Sequence, residues 1–142
     1  MQSLSWCFGF SGSGVHSLSS RKQRILFYTS AHTGVLYDAV SRKQHAMQAH
    51  SNSITATCVS ADLAHIATAD SGPAAMVVVW HLRVAASENT NETRVAVADC
   101  TPVRTLTAHD GCGAVCAAFT HDCRLLVTLG AGSEYSNKGS VI

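Results

Sequence analysis

Five residues in one stretch of this 142-residue chain carry side chains that bind zinc: His109, Cys112, Cys116, His121 and Cys123. Thiolate sulfur and imidazole nitrogen are the usual zinc donors, and all five groups fall within 15 residues. Their spacing argues for structure over a metal centre. There is no Cys-x2-Cys pair, and the AAFT stretch between Cys116 and His121 reads as strand. Successive side chains of a strand point to opposite faces. Cys116 and Ala118 then share one face, and Val115, Ala117 and Phe119 the other. Nucleophilic catalysis has less support. The eight histidines and many serines include no Gly-x-Ser-x-Gly elbow. SGSG (11–14) lacks the Gly-Lys-Ser/Thr of a phosphate loop and reads as a linker. The nine acidic residues are scattered rather than paired. The sequence points to a protein that is not an enzyme and that holds no cofactor.

The elements that carry these residues belong to a packed chain. Hydrophobic residues are 46% and charged residues 13% of the total. The charged share is about half of the usual ~25%, which excludes a disordered polyelectrolyte. A net charge of +1 gives no case for nucleic acid or an anionic membrane as partner. No window reaches the ~18–20 apolar residues of a membrane span. Residues 1–20 lack the basic start of a signal peptide, since the first charge is Arg21. The expectation is a cytoplasmic chain whose six cysteines are reduced thiols rather than disulfides. Two basic stretches, RKQR (21–24) and SRKQH (41–45), are candidate contacts for an acidic surface, with a solvated turn as the simpler role.

The chain repeats itself. MQAHS (47–51) and LTAHD (106–110) each put an Ala-His pair before a β-type run, ITATCVSAD (54–62) and AVCAAFTHD (114–122). Asp62 and Asp122 end those runs 60 residues apart, and Thr68 and Thr128 stand 60 apart in the strands that follow. An earlier unit shows in RILFYTSAHTGVLYDAV (24–40): ILFYTS as a strand, AHTG as a turn with Gly34 free to take positive φ, and VLYDAV as the return strand. VLYD (35–38) sits over VVWH (78–81), so Tyr37 and Trp80 are 43 residues apart. That interval is close to the ~40–45-residue period of four-stranded propeller blades. The longer second interval is assigned to a polar insertion at 83–101, read as a loop. Residues 39–49 have good helix propensity, but their end matches LTA (106–108) and reads as a strand.

The Ala-His pairs at 49–50 and 108–109, with Tyr37-Asp38 and Trp80-His81, resemble the Gly-His and Trp-Asp dipeptides of the WD-repeat β-propellers. That resemblance covers most of residues 24–142 and implies a structural hydrogen-bond network. In the first complete copy it joins His50, Thr68, Asp70 and Trp80: indole N–H to Thr68, Thr68 hydroxyl to His50, and the other His50 nitrogen to Asp70. Buried polar groups left unpaired in this way would be costly. The second copy has His109 and Thr128, with Glu134 as the nearest acid and no tryptophan. Within the family, FYTSAHTGVLYD, the ADSGP turn before MVVVW, and THDCRLLVTLGA look like the cilia- and flagella-associated WD-repeat proteins of the calmodulin- and radial-spoke-associated complex. The echinoderm-microtubule-associated-protein-like group is next nearest. The implied role is a scaffold in the ciliary or flagellar axoneme, near the radial-spoke base, with other axonemal proteins and tubulin as partners.

The expected fold is all-β: a partial propeller of about two to two and a half four-stranded blades whose ring is not closed. Residues 1–23 form an N-terminal segment, with LSWCFGF (4–10) as a candidate first strand followed by a Ser/Gly linker, and 24–142 form the blades. Ser140-Val141-Ile142 starts a third strand at an open edge. Open edges invite pairing with other chains, so the chain expressed alone is expected to aggregate or stay partly unfolded. It reads as part of a larger protein. Different roles weighed against the spoke scaffold are a microtubule-associated propeller outside the spoke and a small zinc-binding domain.

Overall fold

The computed structural model describes residues 6–12, 14–18, 24–86, 93–109, 112–130 and 139–141, with backbone alone for 84–86, 93–99 and 139–141. Eleven strands and no helix form among them. Three antiparallel sheets result. The first has the order β1 (Val15–Ser17), β2 (Ile25–Ser30), β3 (Thr33–Asp38), β4 (Lys43–Gln48). The second follows as β5 (Ile54–Val59), β6 (His65–Asp70), β7 (Met76–Ala86), β8 (Thr93–Thr107). In the third, β10 (Leu126–Gly130) lies between β9 (Ala114–Phe119) and β11 (Gly139–Val141).

The second sheet is apolar on both faces because both are covered. Ile66, Val78, Trp80 and Leu82 pack against Ile25, Phe27, Leu36 and Met47 of the first sheet. Ala67, Ala69 and Val77, one residue out of step, pack against Ala114, Ala117 and Leu126 of the third. The two interfaces differ in payload. Large side chains fill the first, whereas alanines dominate the second and allow close approach. A Cβ on Gly113 (φ +91°) would lie 2.4 Å from Ser71 Cα and 2.6 Å from the Asp70 carbonyl oxygen.

The repeat is visible in the turns and bulges. Ser60 and Thr120 accept the backbone N–H of His65 and Leu125 on their hydroxyls and donate to Asp62 and Asp122. Those carboxylates in turn accept from the N–H of Ala64 and Arg124. Leu63 (φ 59°) and Cys123 (φ 58°) take the same left-handed conformation. The register shifts at Ile54/Ala56 against Ala69–Asp70 and at Ala114/Cys116 against Leu129–Gly130, which puts an extra residue, Thr55 or Val115, at the same place in each sheet.

Four expectations are corrected. The bulge places Val115, 51% exposed, on the opposite side from buried Ala114 and Ala117, so simple alternation along β9 fails. The first strand is Val15–Ser17, within the stretch read as linker. Residues from Trp6 onward cross the outer face of the first sheet instead: Cys7 N–H donates to Gln44 Oε1 at 2.7 Å, and Trp6 meets Tyr37 edge-on at 6.3 Å. The β2–β3 turn is Ala31-His32, with Ala31 at φ 51°. Gly34 lies in β3, where a Cβ would come within 3.2 Å of the Phe27 ring. Lastly, the insertion at 83–101 is mainly strand: β7 runs to Ala86 and β8 resumes at Thr93, paired Ala86 to Thr93 and Val84 to Val95, with bulges at Val79/Trp80 and Leu82/Val84.

Candidate functional site

The residues singled out in the first complete repeat meet inside the second sheet, on its face toward the first. Thr68 stands opposite Val78 in the β6–β7 ladder, and Ile66 stands opposite Trp80. Two residues along a strand bring a side chain back to the same face, so the Trp80 indole lies beside Thr68. Trp80 Nε1 donates to Thr68 Oγ1 at 2.8 Å. His50 enters from the loop after β4, and its Nε2 lies 2.7 Å from the same Oγ1. Its Nδ1 lies 3.3 Å from Asp70 Oδ2, with both side chains fully buried. That contact has ion-pair distance but not hydrogen-bond alignment, and Nδ1 has no other partner. With Trp80 donating, the Thr68 hydroxyl proton faces two acceptors, His50 Nε2 at 2.7 Å and the Val78 carbonyl oxygen at 3.5 Å; the shorter contact favours Nε2 and with it the Nδ1–H tautomer of His50.

Burial is the largest influence on His50 and pushes its pKa below the ordinary value, while Asp70 pulls it upward and His32 downward. Desolvation prevails, so the ring is held neutral. Asp70 does more than face the histidine. Its Oδ1 accepts the Met76 N–H at 2.6 Å, which closes the turn before β7. Its Oδ2 accepts from the backbone and side-chain nitrogens of Asn52 at 3.4 and 3.3 Å. Asn52 was missed in the sequence; an Asn two residues after the Ala-His pair is the only signal for it. His16 was missed too. It stacks on Phe27 at 5.8 Å and its Nε2 lies 2.9 Å from Thr57 Oγ1, tying β1 to the second sheet. Burial lowers its pKa as well.

The third sheet repeats part of this arrangement. His109 Nε2 lies 3.0 Å from Thr128 Oγ1. The position matching Asp70 is Gly130, and the His109 ring lies over it: a Cβ there would be 2.7 Å from His109 Cγ. Glu134, the acid considered for this copy, and Ile142 lie outside the described residues. The first sheet has Tyr28 and Tyr37 at the places of Thr68 and Trp80, and Tyr28 Oη accepts from Gln44 Nε2 at 2.9 Å. All three sheets turn corresponding positions the same way. Thr128 faces the second sheet, Thr68 the first, and Tyr28 and Tyr37 the N-terminal segment.

Apart from His50 Nδ1, the polar side-chain atoms of His50, Thr68, Asp70 and Trp80 are engaged in hydrogen bonds. The direction, turns and spacing of the sheets invite comparison with known chains.

This chain is similar to cilia- and flagella-associated protein 251. It is 34% identical to that of Pongo abelii over 127 residues, 89% of this chain and 10% of the relative. The Tetrahymena thermophila protein of that name is 46% identical over 82 residues, 54% of this chain and 8% of the relative. The Chlamydomonas reinhardtii protein is 42% identical over 84 residues, 57% of this chain and 10% of the relative. The chain thus spans a tenth or less of the length of these curated relatives. No family model matches it. Similarity to proteins so named supports localisation to the cilium or flagellum.

The candidate zinc ligands are not brought together. His109 is engaged by Thr128, while Cys112, Cys116 and His121 are exposed and Cys123 is half-buried with its thiol toward the His121 carbonyl oxygen. Among the described residues no group of three or more His, Cys, Asp or Glu could hold a metal ion. All six cysteines are free thiols. Burial pushes the Cys58 and Cys100 thiols up to about 12.

Proposed function

We propose that this chain is part of a WD-repeat β-propeller that serves as a non-enzymatic protein scaffold in the ciliary or flagellar axoneme, near the base of a radial spoke. The observation that carries the reading is the stack. Successive sheets repeat one turn and one bulge at a 60-residue offset, bury a His–Thr hydrogen bond at corresponding places, and face the same way. A unit that covers its neighbour and is covered by the next is the building principle of propellers and other repeat proteins. The chain's likeness to cilia- and flagella-associated protein 251 gives the location. A stack of sheets suits holding other proteins in place, with contact made through the turns and edges it displays.

Proximity labelling from the chain in beating cilia tests the role. Enrichment of radial-spoke-base proteins is the expected result. Exposed Arg42, on the β3–β4 turn, and Lys43, at the start of β4, fit the acidic tubulin surface of the microtubule-bound alternative. Tubulin labelling that persists in spokeless axonemes would select that alternative, and labelling of soluble matrix proteins alone would overturn both.

A further inference from the structure

In a ring of such sheets the faces are covered by neighbours, whereas the turns at the strand ends stay on display. The two ends of this stack differ in charge. One end holds the Ala31-His32 turn and the segments 49–53, 71–75 and 112–113, joined by the Ile54 N–H to the Ala31 carbonyl oxygen and by Gly113 against Ser71. Among the described residues it has no lysine or arginine. The opposite end shows Arg24, Arg42, Lys43, Arg83 and Arg124, all exposed.

Three of these cations meet on the first sheet. The Arg24 carbonyl oxygen accepts the Ala39 N–H at 2.9 Å, and Asp38 stands between Ile25 and Lys43 in the ladder, so Arg24 and Lys43 flank the end of β3. Among the described residues no carboxylate pairs with Arg24, Arg42 or Lys43, the only acid–base contact being His50–Asp70. Asp38 shapes the turn: Oδ1 accepts the Val40 N–H at 2.9 Å and Oδ2 the Ser41 hydroxyl at 2.7 Å. Val40 is left 67% exposed at the tip. Arg42 has φ 55°, a left-handed position for which glycine is the ordinary residue. Other non-glycine residues with positive φ have a reason in packing or size. Leu63 lies against the core, His109 against Thr128, and Ala31 and Ala74 are short. Arg42 alone holds a long side chain in solvent there. Backbone strain kept with no packing in return points to a side chain kept for contact.

We propose that the β3–β4 turn docks on an acidic segment of a partner protein, with Val40 against an apolar side chain and carboxylates on Arg24, Arg42 and Lys43. The carboxylates of Asp38, Asp62 and Asp122 stand among the cations of this end, so the face is of mixed sign. Such a face suits a protein surface, where charges are spaced and apolar groups lie between them, better than a uniform polyanion such as nucleic acid. The proposal rests on the scaffold reading and gives the chemistry of a partner. The two fail separately, since peptide binding is read on the purified chain and location in the cell.

The test uses the whole chain tethered at low density on an interferometry tip, at about 0.15 M salt. The probes are the peptide Glu-Glu-Leu-Glu-Glu-Leu-Glu-Glu, its counterpart with Gln for every Glu, and a short DNA duplex. Saturable binding of the Glu peptide is expected, with the Gln peptide and the duplex weaker by roughly tenfold or more. Arg24→Gln with Lys43→Gln is expected to cost the Glu peptide a similar factor, and Val40→Ser roughly threefold. Arg104→Gln, midway along β8, is the charge control and leaves binding unchanged. Arg42→Gly separates contact from structure. It removes the cation and suits the left-handed backbone, so the urea midpoint read by tryptophan fluorescence holds or rises while affinity falls by roughly threefold or more. Absence of Glu-peptide binding, equal or tighter binding of the Gln peptide or the duplex, or an undiminished affinity in Arg42→Gly overturns the proposal. A fall in the Arg42→Gly midpoint also overturns it, because Arg42 would then be held for structure.

Discussion

Thr68 joins two side chains that have no other good partner, and the consequences of changing it are therefore unequal to its size. Thr68→Val keeps the shape and removes the hydroxyl that accepts from Trp80 and meets His50. Two buried nitrogens are then unpaired, and an unsatisfied buried group costs about 1–3 kcal/mol. Urea unfolding followed by tryptophan fluorescence should show a loss of that order, against a few tenths for Thr105→Val on the exposed part of β8. His50 also gives the fold a pH dependence. Its folded pKa is lowered by burial, so the unfolded chain binds a proton more readily. Stability is then full above the ordinary histidine value of about 6.5 and is lost as pH falls below it. His16 adds to this with the same sign. Denaturant midpoints measured from pH 7.5 to 5.5 should fall with acidity, and His50→Gln should flatten the slope while lowering the plateau. The cysteines divide by the same logic. Exposed Cys112 and Cys116 should react with a thiol reagent in the native chain, whereas Cys58 and Cys100, with thiols pushed to about 12, should react only on unfolding.

At the scale of the strands and sheets, stability is uneven. The first and second sheets bury Phe27, Leu36, Met47, Ile66 and Trp80 between them, whereas the second and third meet through alanines. Buried area per residue, and with it the hydrophobic contribution, is smaller at the alanine interface. Hydrogen exchange should therefore show β9 and β10 opening before β2, β3, β6 and β7. Gly113→Ala should widen that difference, because its Cβ would meet backbone of Ser71 and Asp70 rather than a side chain able to move. Protection lost in β9 and β10 with β2 and β3 unchanged is the expected pattern. Much of this level was legible in the sequence. MVVVW reads as a strand covered on both faces, and the paired SADL and THDC turns read as equivalents, because β-branching and turn chemistry act locally. What escaped depends on distant residues. Gly34 reads as a turn glycine until Phe27 and Met47 are placed against it. Val115 reads as a partner of Ala117 until the bulge opposite Leu129 and Gly130 is known. The 83–101 stretch reads as a loop because its polar residues hide the Val84–Val95 pairing. The role of Asn52 likewise exists only once separate strands are brought together.

The whole molecule is a stack with two unlike ends. The outer face of the first sheet is crossed by the segment from Trp6, and Val35 on that face is fully buried. The outer face of the third sheet shows Val115, Val127 and Leu129, each 42–51% exposed. An apolar sheet face of this kind promotes association. The isolated chain should self-associate in light scattering, and Val127→Glu with Leu129→Glu should reduce that association without shifting the thermal midpoint of the first two sheets. In a propeller the same face receives a neighbouring sheet, which joins this prediction to the proposed function. Axonemal residence is the claim on which that function stands, and detergent extraction of cilia from cells expressing the tagged chain tests it most directly. The account predicts that the chain stays with the demembranated axoneme at physiological salt, and its release with the soluble membrane-and-matrix fraction would contradict it.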